Sequence, residues 1–110
     1  MREPKINPGR LNHRGMLQIA EDVSDGMGGV RRQWRDEAPI ALALVRQSER
    51  YRQRFEREES VERITFRCRY SDRITRGKRV LIDDRAFILE QVSDLALRHR
   101  LMECEGREDA

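Results

Sequence analysis

The stretch Val61-Glu62-Arg63-Ile64-Thr65-Phe66-Arg67-Cys68-Arg69-Tyr70-Ser71 carries the clearest periodicity in the chain. From Ile64 to Tyr70 every second residue is apolar or aromatic, and the residues between them are polar or charged. Successive side chains of a β-strand point to opposite faces. The pattern therefore predicts a strand with one apolar face toward a core and one polar face.

Weaker segments of the same kind lie on both sides of this strand, and turn-forming segments that contain glycine or aspartate separate them. We expect further strands over 16–23, 80–82, 86–92 and 99–105, a loop over 24–29, and turns over 74–78 and 83–85. Short strands joined by tight turns indicate a mostly antiparallel sheet that curls on itself. The predicted fold class is mainly β, a small antiparallel β-barrel or sandwich with one short α-helix and long loops.

The run Ile40-Ala41-Leu42-Ala43-Leu44-Val45 fits two interpretations. Pro39 at a first helical position, followed by alanine and leucine, favours a helix that continues toward Glu59. A short run that is apolar on both faces also fits a fully buried strand. We predict a strand over 40–45.

Charge is densest in the excursion over residues 46–60, which we expect to form the short helix or a mobile loop. Ser48 is a suitable helix cap, and Tyr51 and Phe55 would share one helix face. The arginines of this segment either are solvated and pair with glutamates at helical spacing, or face a channel or a neighbouring subunit. They are Arg46, Arg50, Arg52, Arg54 and Arg57.

The length of 110 residues predicts a single domain with a small core. We place this domain at 11–105, after an extended arm over 1–10 and before a disordered tail over 106–110. Charged residues make up 39% of the chain and hydrophobic residues 37%. This is polar for a globular domain, and it suggests that stability depends on assembly with other subunits.

The basic residues are almost all arginine, because only Lys5 and Lys78 are lysines. Arginine binds carboxylate and phosphate through two parallel hydrogen bonds, so it suits both subunit interfaces and DNA-lined channels. The net charge is only +3, with acidic residues well mixed among the basic ones. A small basic nucleic-acid-binding module is therefore the weaker alternative for the function. In such a module Trp34 would stack on a base, whereas we favour Trp34 as an anchor in the core or at an interface.

The cysteines and the hydropathy indicate in which cellular compartment the protein is expected. Cys68 and Cys104 form no Cys-x-x-Cys pair, and no signal-peptide pattern precedes them. We expect reduced thiols in the cytoplasm. No apolar run approaches the roughly 20 residues that span a bilayer, so no membrane partner is expected.

The sequence carries no known catalytic or phosphate-binding motif: a P-loop, a Rossmann glycine fingerprint, HExxH and GxSxG are all missing. His99 and Cys104 are not spaced as structural zinc ligands, even with Cys68 on a neighbouring strand. The acidic pairs Asp83-Asp84 and Glu58-Glu59 fit solvated positions better than a pocket. We therefore expect no enzyme, no catalytic residue, no cofactor and no metal.

Taken in order, several short segments over roughly residues 10 to 105 resemble the phage head–tail joining family, the head-closure or stopper proteins that also occur in prophages and gene transfer agents. Leu11-Asn12-His13-Arg14 resembles the family's opening Leu-x-x-Arg/Lys segment, and Asp25-Gly26-Met27-Gly28-Gly29 resembles its Asp-x-x-Gly-Gly loop. Trp34 stands at a position where the family has an aromatic residue, and Ile64 to Tyr70 resembles its I-T-h-R-Y strand (h apolar). Phe87-Ile88-Leu89 is similar to a Tyr-x-Ile strand of the family, and Leu101-Met102-Glu103-Cys104 is similar to its L-x-x-C strand. The chain departs from the family at Ile40-Ala41, where Trp-Ala is common. The resemblance also places a strand there.

The resemblance implies a small β-barrel whose copies assemble into a ring of six or twelve. The ring closes the DNA exit channel after packaging and joins head to tail. By resemblance, residues 46–60 face the channel. The resemblance also implies that the arm and the glycine loop contact neighbouring subunits. The residues expected to do so in the loop region are Asp25, Gly26, Gly28, Gly29 and Trp34.

The implied partners are other copies of the chain, a portal or adaptor ring above, tail-terminator or tail proteins below, and packaged double-stranded DNA in the channel. The implied location is the head–tail interface of a virion assembled in the cytoplasm of a bacterial host. A connector adaptor or a tail-terminator ring subunit is the alternative within the same particle.

Overall fold

The structure is a computed structural model that describes residues 11–54 and 57–109, with 48–54 and 57–61 described by their backbone. The expected arm over 1–10 lies outside the described residues. Six strands make up the fold: β1 (His13–Ser24), β2 (Val30–Arg54), β3 (Arg57–Arg69), β4 (Arg79–Ile82), β5 (Arg85–Leu95) and β6 (Leu101–Glu108). The described residues contain no helix.

The six strands form one antiparallel barrel in the order β1-β2-β3-β6-β5-β4. β1 and β4 close it through three residue pairs, Met16 with Leu81, Leu17 with Val80, and Gln18 with Arg79. The other junction between strands distant in sequence joins β3 to β6 over seven pairs, from Arg63–Arg107 to Arg69–Leu101. The barrel confirms the predicted mainly-β fold class.

The apolar face predicted for the 61–71 strand fills the barrel interior. Ile64, Phe66 and Cys68 are 3%, 0% and 1% exposed. The other strands and the loop after β3 complete the core with Leu17, Leu42, Ile74, Val80, Ile82, Phe87, Leu89, Met102 and Cys104. Each large apolar side chain stabilises the fold by about 1.5–3 kcal/mol on burial, so these side chains supply the main driving force for folding.

The run 40–45 is a strand, as predicted, and the helical interpretation is wrong. It lies within β2, where Leu42 pairs with His13 on one side and with Cys68 on the other. Leu42 is fully buried, whereas Ala41 beside it is exposed. A two-residue period is what a strand of the barrel wall requires, and pairing on both sides outweighs the helix propensity of alanine and leucine.

The prediction of a short helix within 46–60 is wrong. β2 continues to Arg54 and β3 begins at Arg57, and the two pair in register from Arg46–Thr65 to Arg54–Arg57. Ion pairs at helical spacing stabilise a helix by only a few tenths of a kcal/mol each. Extending two strands that the barrel already aligns gives each residue a paired backbone without a new nucleation step.

The prediction of a disordered tail over 106–110 is wrong for residues 106–108. β6 runs to Glu108, and Gly106 is buried between Phe87 and Leu89 of β5. The N–H of Asp109 still donates to the carbonyl of Ala86 at 2.8 Å. The polar composition that suggested a tail reflects the outward positions of the last strand.

The last strand starts at Leu101 and not at His99, because a turn with unusual backbone angles precedes it. Ala96, Leu97 and His99 have φ of 60°, 52° and 54°. The turn between β4 and β5 is as tight as predicted, with φ of 48° at Asp83 and 64° at Asp84. Positive φ at both central residues matches the twist of a two-residue hairpin.

Candidate assembly surfaces

A two-stranded hairpin projects from the barrel beyond the closing strand β4. Residues 19–24 of β1 pair with 30–35 of β2, and no other described strand pairs with either segment. Six residues of strand extend about 20 Å. We call residues 19–35 the finger.

The tip of the finger is a tight loop held by one carboxylate. Oδ1 of Asp25 accepts hydrogen bonds from the N–H of Met27 at 2.8 Å and of Gly29 at 3.0 Å. Gly26 and Gly28 have φ of 79° and 81°, which glycine adopts without strain. The predicted loop is therefore confirmed, and its glycines are required by the backbone.

Apolar side chains project from this ordered tip. Met27 is 88% exposed and Val30 is 69% exposed. Burying these two side chains against a partner would be favourable. The tip therefore has the character of a contact surface.

The base of the finger is braced against the barrel. The Arg79 guanidinium lies 4.6 Å from the centre of the Trp34 ring. Gln18 connects this arginine to Asp36, the residue that follows the finger. Its Oε1 accepts a hydrogen bond from Nε of Arg79, and its Nε2 donates one to Oδ1 of Asp36, both at 2.8 Å. Lys78 adds an ion pair to Glu37 at 2.7 Å. Trp34 is thus half-buried at the base, four residues from the start of β2, and it is separate from the glycine loop at the tip.

A second hairpin leaves the opposite end of the barrel, since β2 runs from the finger tip at Val30 to the end of this hairpin at Arg54. We call its paired residues, 46–54 and 57–65, the ribbon. Arg46 is exposed at the bulge in β2 where the ribbon begins.

The pairing register sorts the charges of the ribbon between its two faces. Directly opposed residues and alternate residues of a strand share a face. One face therefore takes the predicted arginine positions together with those of Arg63 and Glu59, and the other takes the positions of Glu49, Glu58 and Glu62. The predicted arginine set Arg46, Arg50, Arg52, Arg54 and Arg57 is thus brought to one face by a strand and not by a helix.

A buried carboxylate that was not predicted from the sequence fixes the base of the ribbon. Glu62 is 3% exposed and accepts hydrogen bonds from Nη2 of Arg85 and Nε2 of Gln47. Arg85 also binds Glu108 at 2.6 Å. The signal in the sequence was a glutamate in phase with the apolar positions 64, 66 and 68. Such a residue needs a partner, since an unpaired buried charge is costly.

A mostly apolar groove lies beside the barrel end of the finger. Its volume is about 390 Å³, and it is bounded by residues 38–41 of β2 and by 68–74, where the chain leaves β3. Leu17, Tyr70 and Ile74 also line it. We call it the edge groove. Sequence reasoning could not find it, because it joins three segments that are far apart in the chain.

The groups weighed as catalytic or metal-binding do not gather in one place. Cys68 lines the edge groove, Glu58 and Glu59 belong to the ribbon, and Asp83 and Asp84 form the turn between β4 and β5. His99 stacks on Tyr70 with ring centres 4.4 Å apart. The hydrogen bond with Cys68 and burial raise the pKa of the Cys104 thiol above its usual range. Across residues 11–54 and 57–109, no group of three His, Cys, Asp or Glu side chains is placed to hold a metal ion. The same described part of the chain has no helix long and apolar enough to cross a membrane.

Comparisons with known proteins place the chain in a family. The sequence model of the phage head completion protein family matches residues 6–109. Among solved structures, a chain of the virion of a native gene transfer agent particle superposes with a TM-score of 0.71. The two are 22% identical, over 90% of this chain and 94% of that one, so the likeness shows the shared fold. No curated protein sequence matches. Because the family match covers nearly the whole chain, this protein belongs to the phage head completion protein family and is a structural component of the virion.

Proposed function

We propose that this chain is a ring subunit of the head–tail connector, which closes the DNA exit channel after packaging and joins head to tail. The observation that carries the proposal is a closed barrel with two hairpins at opposite ends of one long strand, β2. A closed barrel has no free sheet edge except along such extensions. The extensions are therefore the parts of the subunit that are available to reach neighbours and the channel.

The ribbon is the segment proposed to face the channel. Its register gathers the arginine positions on one face, and in a ring the same face repeats around the axis. Such a collar would meet packaged DNA through phosphate contacts, which are salt-sensitive and carry no sequence information. The likeness to a chain in a gene transfer agent virion supports a place in a particle that carries DNA.

The finger is the segment proposed to contact neighbours. The tip carries exposed apolar side chains on a loop ordered by Asp25, and its base is braced by Arg79 and Lys78. A pre-ordered contact loop loses little conformational entropy on assembly. The proposed partners are other copies of the chain, the portal or adaptor ring above, and tail or tail-terminator proteins below. We also propose that the chain performs no catalysis.

The test is electron microscopy of particles made without this gene, beside particles in which the gene is restored. We expect empty heads that packaged and lost DNA, together with free finished tails. DNA-filled heads without tails would instead assign the chain a joining role as an adaptor. Normal tails attached to filled heads would overturn the proposal.

A second measurement separates a ring subunit from a free nucleic-acid-binding module. DNA affinity of the purified chain is measured over a range of salt concentrations. A ring subunit binds DNA weakly before assembly, because each copy supplies few phosphate contacts. Tight binding by the monomer that falls steeply with salt would favour the binding module.

A further inference from the structure

The finger tip and the edge groove are complementary surfaces on one chain. The tip presents Met27, 88% exposed, as an apolar projection. The groove presents an apolar cavity of about 390 Å³ between β2 and the segment that follows β3. A cavity of this volume has room for an unbranched side chain such as methionine, which adapts to irregular spaces.

The groove also runs along a sheet edge that lacks a partner. β2 pairs with β3 only from Leu42 onward, so residues 30–41 of β2, apart from the bulged Glu37, pair with β1 and with no other described strand. Pro39 has no N–H, but the other backbone groups that point to that side are available to bond an added segment. The groove residues Ala38 to Ala41 belong to this edge.

The charges at the two surfaces are opposite. Arg69 and Arg73 are exposed on the groove side, and neither makes an ion pair with a described carboxylate. Asp25 stands at the tip, and its Oδ1 holds the loop while the group as a whole stays exposed. Contact between the surfaces would bring a carboxylate to two unpaired guanidinium groups.

The tip cannot reach the groove of its own chain. β2 runs from the groove at Ala38 to the tip at Val30 as one strand with a single bulge at Glu37, a path of eight residues or about 26 Å. Bracing at Trp34 and Gln18 holds the finger at its base. Contact between tip and groove must therefore join two chains.

We infer that the finger tip of one copy docks in the edge groove of the next, with Met27 between Ile40 and Tyr70 and Asp25 facing Arg69 and Arg73. The two surfaces differ, so the contact is head-to-tail, and repetition of such a contact closes a ring when the rotation allows it. The inference rests on the proposed ring function and names the surfaces that build the ring.

The test places a photoreactive amino acid, benzoylphenylalanine, at position 27 of the full chain, in the host that makes the particles. Purified particles are irradiated, separated on a denaturing gel and digested for mass spectrometry. We expect a ladder of dimers and higher multimers whose cross-links map to residues 38–41 or 69–74. The same probe at position 97 is the matched control, because Leu97 is 85% exposed at a different turn. It should not link to the groove.

Two substitutions test the same contact from its two sides. Met27→Asp changes an exposed residue, and Ala41→Trp fills the groove from an exposed position of β2. Both variants should keep the barrel folded and weaken incorporation into particles by roughly tenfold or more. Leu97→Asp should leave incorporation unchanged.

Cross-links from position 27 to another virion protein, to a different surface of the chain or to nothing would overturn the inference. In each of these cases, retention of the chain in the particles would leave the head-closure proposal standing. That proposal fails separately, if particles lacking the gene retain DNA and carry tails.

Discussion

Replacing Gly106 by valine tests whether the end of the chain belongs to the barrel. An added Cβ at this position would lie 3.1 Å from Cβ of Phe87 and 3.3 Å from the carbonyl oxygen of Ile88. Both distances are shorter than ordinary contacts. The backbone oxygen has little freedom to move, and Phe87 is only 3% exposed. The valine must therefore push β5 and β6 apart.

Overpacking of this kind costs about 1–3 kcal/mol. In a free tail the same change would be neutral. In a strand with open space it would stabilise the fold by up to about 1 kcal/mol, because glycine is a poor strand residue. For a domain of this size, a loss of about 2 kcal/mol lowers the midpoint of thermal unfolding by roughly 8–16 °C.

The assay is thermal and urea unfolding of the purified chain, followed by circular dichroism at low protein concentration. Arg107→Val is the matched control, because it adds the same side chain at the next, partly exposed position of β6. We expect Gly106→Val to be clearly less stable than both the wild type and the control. A midpoint at or above that of the wild type would refute the close packing of β6 on β5.

Three further predictions concern the core, the ribbon and the thiols. Phe66→Asp should abolish folding, because the side chain is 0% exposed and a charge there cannot be solvated; a folded variant with native near-ultraviolet circular dichroism would contradict the core assignment. The double change Arg50→Glu and Arg54→Glu should preserve the thermal midpoint within a few degrees and reduce DNA retention in particles, whereas loss of folding would show that the ribbon is part of the core. Cys104, whose pKa is raised by its hydrogen bond with Cys68 and by burial, should react with a thiol reagent at pH 8 only after urea unfolding, and rapid modification of the native chain would show that the barrel opens.

The ion pairs at the bases of the two hairpins differ in what they contribute. Arg35–Glu21 on the finger is largely exposed, and such pairs are worth at most about 1 kcal/mol. The carboxylate of Glu62 is almost fully buried, and removal of Arg85 would leave it with Gln47 alone. The orientation of the ribbon relative to the barrel therefore depends on Arg85 more than on any surface pair.

The alternation of apolar and polar residues along the sequence predicted strands of the barrel wall. The two-residue period of 64–70 was enough to predict one strand. The apolar run 40–45 also fitted a helix, and the family resemblance supported its prediction as a strand. The short turns predicted a sheet that closes on itself. These signals are local, because side-chain alternation is a property of each strand and needs no knowledge of its partner. The ordered motifs also identified the family, and residues 46–60 and the glycine loop were recognised as distinctive segments before their positions were known.

Tertiary structure alone decided what those segments become. The charged run 46–60 has helix-forming residues, yet it is a ribbon because β2 and β3 are already aligned by the barrel. Gly106 looked like part of a tail, and it is buried because β5 supplies a partner. The edge groove lies beside residues 38–41 of β2, which precede the first pair between β2 and β3. Each outcome depends on pairing between residues far apart in the chain, and a one-dimensional pattern carries no record of which strands will meet.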